Sequence, residues 1–182
     1  IRKKHDAILI ATGVYKPREI NLPGHDLNNI YPAMDFLTIS NRKGLGDKVD
    51  GFENGSLNTK NKNVVVIGGG DTAMDCVRTA IRQNAKSVKC IYRRDKENMP
   101  GSMREVNNAE EEGIEFIWKS NPKKFIGSDK VSGLLIEKMK LGTPDSSGRN
   151  KPEPIFGSEL EIKADIIIKA LGFDPEDLPK LF

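Results

Sequence analysis

Three small residues at fixed spacing, Gly68, Gly70 and Ala73, indicate a chemical role for this chain. They fill the three positions of the GxGxx(G/A) fingerprint of dinucleotide-binding folds. There the first glycine permits a tight turn, the second lets the backbone approach a pyrophosphate, and the small third residue lets helix and strand pack closely. Free N–H groups and the helix dipole at the helix N-terminus favour the pyrophosphate. The alternative is a tight turn that binds nothing.

Two neighbouring arginines, Arg93 and Arg94, stand where the identity of a nicotinamide cofactor is decided. NAD-binding folds usually carry an acidic residue about 20 positions beyond the glycines, where it accepts the ribose 2′-hydroxyl. Guanidinium groups instead match a 2′-phosphate by charge and by their forked donors. Asp95 comes one position later, and we expect its carboxylate to point away. The arginines therefore favour NADPH, unless both are merely surface residues.

A short strand and an amphipathic helix must hold these glycines in place. The apolar run Val64–Ile67 suits a buried parallel strand, and apolar residues recur at helical spacing after the glycines. Ser87–Tyr92 and Ile114–Trp118 have the character of a second and a third strand, with a helix between them. This alternation predicts an α/β fold with a Rossmann-like, doubly wound parallel sheet.

The helix between the second and third strands carries end signals of its own. Ser102 and Glu105 have the spacing of a capping box, and Gly113 suits the position just beyond the helix C-terminus. Three glutamates, Glu110–Glu112, lie close to that end, where they are unfavourable for the helix dipole. We expect them to form a solvated face.

The rest of the chain differs in character from the glycine-rich part. Its pattern predicts a three-stranded antiparallel meander with strands at Lys124–Gly127, Val131–Leu141 and Glu159–Ile162. It also predicts a flexible hairpin tip at Thr143–Pro154 and a last buried strand at Ala164–Ala170. Before the glycines it predicts a buried strand at His5–Gly13, a short helix at Ala33–Asn41 and a polar surface loop at Arg42–Lys62.

Composition excludes several classes of function. The chain has 182 residues and a net charge of +3, with charges of both signs mixed along it. No basic stripe indicates a nucleic-acid partner, and no apolar run is long enough for a membrane span or secretory signal. Cys76 and Cys90 have the character of small core residues in a reducing compartment. We expect a cytoplasmic protein.

Longer segments resemble a known family. DAILIATG and ADIIIKALG bracket the fingerprint as in the two-dinucleotide-binding flavoproteins, in which an NADPH domain is inserted into an FAD domain. IGGGDTAMDCVRTAIRQ, YRRDKENMPGSMREVNNAEEEG and ADIIIKALGFDP are similar to the small (beta) subunit of NADPH-dependent glutamate synthase. In that family hydride passes from NADPH to FAD. Iron–sulfur clusters then carry electrons to a large (alpha) subunit that makes glutamate from glutamine and 2-oxoglutarate.

The resemblance implies roles for particular residues. It implies that the pyrophosphate is bound by Gly68, Gly69, Gly70, Asp71, Thr72 and Ala73 and the 2′-phosphate by Arg93, Arg94 and Lys96. It also implies that Ala170, Leu171 and Gly172 line the cleft and that Thr12 and Gly13 lie near FAD. Gly172, Phe173 and Asp174 are also expected near FAD. No residue is implied as a nucleophile or a general base, because the chemistry belongs to the cofactors.

The same resemblance implies parts that this sequence does not contain, namely the FAD fingerprint and the cysteines of the iron–sulfur clusters. We therefore expect a portion of a longer protein, in which an NADPH-binding domain (63–172) follows an FAD-domain stub (1–30) and a helix and loop linker (31–62), with a returning stub at 173–182. Such a portion should bind NADPH without turnover. Exposed apolar residues of the stubs predict some self-association.

Two other functions fit the sequence. One is the NADPH domain of another iron–sulfur flavoprotein, of the ferredoxin-NADP or dihydropyrimidine dehydrogenase type. The other is a non-catalytic nucleotide-binding module used for sensing or docking.

Overall fold

The structure is a computed structural model that describes residues 2–146, 148–175 and 177. Its helices are a 3₁₀ turn at Arg2–Lys4 and the α-helices α1 (Ala33–Gly44), α2 (Asp50–Glu53), α3 (Asp71–Arg82) and α4 (Met103–Glu111). Its strands are β1 (Lys16–Pro17), β2 (Ile30–Pro32), β3 (Asn63–Ile67), β4 (Ser87–Ile91), β5 (Glu115–Ile117), β6 (Ser120–Gly127), β7 (Val131–Pro144), β8 (Asn150–Pro154), β9 (Leu160–Lys163), β10 (Ile166–Lys169) and β11 (Phe173–Asp174). The end of the predicted returning stub, at 178–182, lies outside the described residues.

A parallel sheet organises the fold, in the strand order β2-β10-β3-β4-β5. The predicted alternation of strands and helices from β3 to β5 is confirmed, and so is the α/β fold class. Strand β2 was not predicted, because three residues ending in Pro32 are too few to show a period. As an edge strand it tolerates the proline, which lacks a backbone donor.

The two faces of this sheet are covered by different layers. On β3, Val64 and Val66 pack with α1, α3 and α4, whereas Val65 and Ile67 pack with the antiparallel sheet. This alternation follows from the two-residue period of a strand. Cys76 on α3 and Cys90 on β4 are fully buried in the core between the parallel sheet and the helices, as predicted. Burial raises the pKa of both thiols, that of Cys90 to about 12.

The predicted antiparallel meander is present and larger than expected. Strand β7 pairs with β6 on one side and with β9 on the other, and it covers the sheet in place of a crossover helix. The hairpin predicted at Thr143–Pro154 is present, but its turn is shorter than predicted, because Asn150–Pro154 forms β8 and extends this sheet by pairing with the end of β7. Pro152 and Pro154 fit because β8 lies at a sheet edge.

The prediction of a buried strand at His5–Gly13 was wrong. No strand is assigned there, and Ile8, Leu9 and Ile10 are exposed by 46%, 91% and 43%. A strand becomes buried only where neighbours pair with it and cover it. Within the described residues, no other strand pairs with this segment.

The polar segment Arg42–Lys62 is not simply a surface loop. It contains α2, and it buries Val49, Leu57 and Thr59. The hydroxyl of Thr59 donates to the carbonyl oxygen of Ala80 at 3.1 Å, near the end of α3. The prediction of a surface loop missed this because only a few apolar residues anchor the segment to the helices.

The chain enters and leaves the parallel-sheet unit at one place. Lys16 pairs with Asp174 and Pro17 with Phe173 in an antiparallel ladder of β1 and β11. The guanidinium Nε of Arg18 lies 2.8 Å from the carboxylate of Asp174. The predicted crossing segments therefore run side by side, while the domain boundaries themselves stay predictions.

Within the described part of the chain, no helix has the length and apolar character required to cross a membrane.

Helix α4 is tied to α3 by ion pairs that the sequence did not reveal. The capping box at Ser102 and Glu105 does not form, because Ser102 makes no side-chain cap and the Glu105 carboxylate pairs with Arg78. Glu112 pairs with Arg78 and Arg82, both at 2.8 Å, so for Glu112 the prediction of a solvated glutamate face was wrong. A guanidinium offers the carboxylate a full positive charge and a fork of donors, which a backbone N–H does not.

We predict that this network makes stability depend on acid pH. Burial by itself raises the pKa of Glu112, but hydrogen bonds from Arg82 and Arg78 bring that pKa below its ordinary value of 4.5. A lowered folded-state pKa contributes stability above the ordinary value, and that stability is lost as the pH falls through the folded pKa. Between pH 6 and pH 3, urea unfolding of the wild type should therefore lose more stability than that of Glu112→Gln. Equal losses would contradict the prediction.

Candidate functional site

Gly68 directly follows β3 and has a backbone conformation that few other residues adopt. Its φ is +146°, and a Cβ built on it would lie 2.1 Å from the carbonyl oxygen of Ala170. The amide of Gly68 donates to the carbonyl of Ile91 at 3.1 Å, which fixes the turn between β3 and its neighbours. This position is glycine because the end of β10 approaches the backbone directly.

Gly70 differs, because neither its backbone nor its protein neighbours require a glycine. It is the N-cap of α3 with extended φ and ψ of −93° and 176°, and no heavy atom lies within 4 Å of a Cβ built there. The space in front of the helix N-terminus is thus open. Ala73, fully buried one turn later, allows α3 to pack closely on the sheet. Both features match the fingerprint's demand for close ligand approach and close packing.

Gly69 and Asp71, the first residue of α3, contact a neighbouring loop. A Cβ on Gly69 would lie 2.5 Å from the ring of Tyr92, and the carbonyl of Gly69 accepts from the amide of Gly101 at 3.0 Å. The carboxylate of Asp71 accepts from the amide of Ser102 at 2.8 Å. Asp71 therefore has a structural partner, so a phosphate at this helix end would meet backbone N–H groups.

A cleft of about 620 Å³ lies at the carboxyl ends of β3, β4 and β10. Ligands of open α/β sheets bind at this edge. The cleft brings together most of the predicted site residues, namely Gly68, Gly69, Gly70, Arg93, Arg94, Ala170, Leu171 and Gly172. Thr72 is half-buried on the first turn of α3.

Six predicted residues lie outside the cleft lining, namely Asp71, Thr72 and Ala73 on the first turn of α3, and Lys96, Thr12 and Gly13. The ammonium of Lys96 is 2.7 Å from the carboxylate of Glu110, so it serves an ion pair with α4. Thr12 and Gly13 belong to the exposed segment before β1. As expected, the carboxylate of Asp95 turns into its own loop, where it accepts from the side-chain amide of Asn98 at 2.7 Å.

The two adjacent arginines have different surroundings. Arg94 is buried, and its guanidinium donates to the carbonyl of Asn150 at 2.7 Å and to the carboxylate of Asp145 at 2.6 Å. Arg93 is exposed and lines the cleft. Among the residues that the structure describes, Arg93 has no ion pair. Its charge therefore faces solvent and any ligand of the cleft.

The cleft also has lining residues that were not predicted, including Arg18, Asn121 and Arg149. They lie far from the fingerprint in sequence, and they reach the cleft only because β6, β8 and the crossing segment fold back onto the sheet edge. No local pattern in the sequence signals this. The weak local signal that comes nearest is the pair Gly148-Arg149 in a proline-rich hairpin.

The described residues do not fit an iron–sulfur cluster. Within them no group of three or more potential metal ligands occurs. Both cysteines are buried in the core between the sheet and the helices, where they are unavailable to a cluster.

Comparison with known proteins gives the family. The chain is 60% identical over 182 residues to the glutamate synthase [NADPH] small chain of Azospirillum brasilense, covering all of this chain and 38% of that protein. It is 58% identical over its whole length to the putative small chain of Cereibacter sphaeroides, covering 43% of that protein. The chain thus spans about two fifths of these relatives, and the resemblance inferred from its motifs is confirmed.

A solved structure confirms the fold class independently. The FprA oxidoreductase of Mycobacterium tuberculosis matches 98% of this chain with a TM-score of 0.77, at 18% identity and over 52% of its own length. Residues 2–180 match the family described as pyridine nucleotide-disulphide oxidoreductase. The chain belongs to the pyridine nucleotide-disulphide oxidoreductase family.

Proposed function

We propose that the cleft binds NADPH and that the chain is the NADPH-binding part of an oxidoreductase. The observation that carries the proposal is the open space at Gly70, where a glycine is required by neither conformation nor packing. A side chain there would fill the position that a pyrophosphate takes at a helix N-terminus. The described residues therefore fit a dinucleotide.

The chain's own residues divide the work of binding. The first N–H groups of α3 point at the pyrophosphate, where the helix dipole adds to the attraction. The exposed guanidinium of Arg93 pairs with the 2′-phosphate, since Arg94 is engaged elsewhere. Ala170, Leu171 and Gly172 line the cleft beyond β10. When bound, NADPH supplies a hydride.

A wider role rests on the resemblance and on the relatives. In the longer protein this part would deliver hydride to FAD, with Thr12 and Gly13 near the flavin. Electrons would then pass through iron–sulfur clusters to a glutamate synthase large subunit. Hydride transfer needs an acceptor held against the nicotinamide. The 182-residue chain alone should therefore bind NADPH and turn nothing over.

Titration with NADPH and NADH, for the wild type and for Arg93→Ala, tests the cofactor assignment. We predict that Arg93→Ala weakens NADPH binding by roughly 10- to 100-fold and leaves NADH binding unchanged, because a charge-assisted contact to phosphate is lost. Added salt should reduce the NADPH preference of the wild type by screening.

A matched control is Arg104→Ala on α4, which removes an 84% exposed arginine outside the cleft lining. It should leave both affinities unchanged. A wild type that binds NADPH and NADH equally would overturn the assignment.

A further inference from the structure

The hairpin between β7 and β8 reaches the cleft from the antiparallel sheet. Its turn is closed by the amide of Asp145, which donates to the carbonyl of Arg149 at 2.8 Å. The amide of Arg149 donates in return to the carboxylate of Asp145 at 3.3 Å. Arg149 lines the same cleft as Arg93, although 56 positions separate the two in sequence. The hairpin thus supplies a further cationic side chain to the proposed cofactor site.

Arg94 fastens this hairpin to the end of β4. Its side chain is only 3% exposed, and it bonds the chain on both sides of Arg149, at Asp145 and at the carbonyl of Asn150. The amide of Asn150 also donates to the side-chain oxygen of Asn98 at 3.2 Å. Because a buried guanidinium is costly to leave without partners, these bonds fix where the hairpin lies.

Charge balance favours a second cation beside Arg93. A phosphate monoester carries about −1.5 to −2 charges at neutral pH, more than one guanidinium neutralises. Asp145 would repel such a group, but its carboxylate lies 2.6 Å from the Arg94 guanidinium. Glu19, the carboxylate that lines the cleft, is paired with Lys169. The carboxylates of Asp145 and Glu19 are therefore compensated.

We propose that Arg149 is a second cationic contact of the adenosine 2′-phosphate, and that Arg94 is a positioning residue which holds Arg149 at the cleft. The assignment rests on the proposed function, because it names the groups that would select the phosphorylated cofactor there. It gives the two neighbouring arginines that follow β4 separate tasks. Arg93 binds the phosphate, and Arg94 builds the wall that carries Arg149.

Titration of Arg149→Ala with NADPH, NADH and adenosine 2′,5′-bisphosphate tests the contact. NADPH and the bisphosphate should bind about tenfold more weakly, NADH should be unchanged, and the salt dependence of NADPH binding should become shallower. Arg149→Lys should recover part of the affinity because it keeps the charge. Lys151→Ala is the matched control, since it removes an exposed charge from the same hairpin outside the cleft lining and should change none of these values.

A double-variant cycle tests the role of Arg94. Arg94→Ala should weaken NADPH binding, and the Arg94→Ala/Arg149→Ala double variant should show the same NADPH-to-NADH ratio as Arg149→Ala alone. Additive losses would overturn the positioning role, because they would mean that Arg94 contacts the phosphate itself. Asp145→Asn removes the ion pair without cutting into the core, so it gives the same comparison if Arg94→Ala does not fold.

The outcomes separate this proposal from the proposed function. If the wild type prefers NADPH, and Arg93→Ala removes the preference while Arg149→Ala does not, the contact by Arg149 is overturned and the NADPH site stands. If the wild type shows no preference for NADPH, both are overturned.

Discussion

Replacement of Gly70 by valine is expected to abolish NADPH binding while the chain keeps its fold. The backbone of Gly70 is extended, a conformation that valine adopts readily, and no protein atom lies within 4 Å of the added Cβ. Stability should change by no more than about 1 kcal/mol, the scale of an N-cap substitution. The added side chain fills the space of the pyrophosphate, so NADPH should bind at least roughly 100-fold more weakly. Calorimetric titration and thermal unfolding measure the two effects separately.

Gly44→Val is the control for this experiment. Gly44 also has open space around a Cβ, but it ends α1, whose first residue follows the carboxyl end of β2. The helix therefore carries Gly44 away from the sheet edge that holds the cleft, and NADPH affinity should not change. If Gly70→Val bound NADPH like the wild type, the pyrophosphate could not lie at the N-terminus of α3.

Replacement of Gly68 by alanine is expected to have the largest effect on stability. The alanine would have to adopt a φ of +146° and place its Cβ 2.1 Å from the carbonyl oxygen of Ala170. Left-handed strain alone costs about 1–3 kcal/mol, and separating β3 from the end of β10 adds to it. We expect a loss of about 3 kcal/mol or more, which urea unfolding measures.

Gly113→Ala isolates the contribution of the close approach. Gly113 also has a positive φ, of +90°, but no heavy atom lies within 4 Å of a Cβ built there. It follows α4 at the position predicted for a C′ glycine, and its replacement should cost about 1 kcal/mol. Equal losses from the two alanine variants would mean that the contact with Ala170 does not constrain the turn.

The parts of the fold that sequence could predict are those in which neighbours along the chain are also neighbours in space. Strand β3, the glycine turn and α3 form one continuous segment, so their periodicity and spacing were sufficient. The segment at His5–Gly13 shows the limit of that reasoning. Its apolar run favours burial, but whether a partner strand is available to cover it depends on residues elsewhere in the chain.

The candidate site shows the same limit at the level of single side chains. Arg93 and Arg94 are equivalent in sequence, and one was as plausible a phosphate ligand as the other. The structure separates them because the hairpin between β7 and β8 folds back onto Arg94, whose guanidinium donates to the carbonyl of Asn150. Arg149 could not be predicted for the same reason, since only tertiary folding brings it to the cleft.

The ladder of β1 and β11 brings together the two ends of the segment that carries the cleft. The chain from Lys16 to Asp174 starts and ends in two adjacent strands of two residues each. Units whose ends lie together tolerate transplantation into other proteins and circular permutation. We therefore expect that residues 16–174 could be transferred into another protein as one unit with the cleft intact.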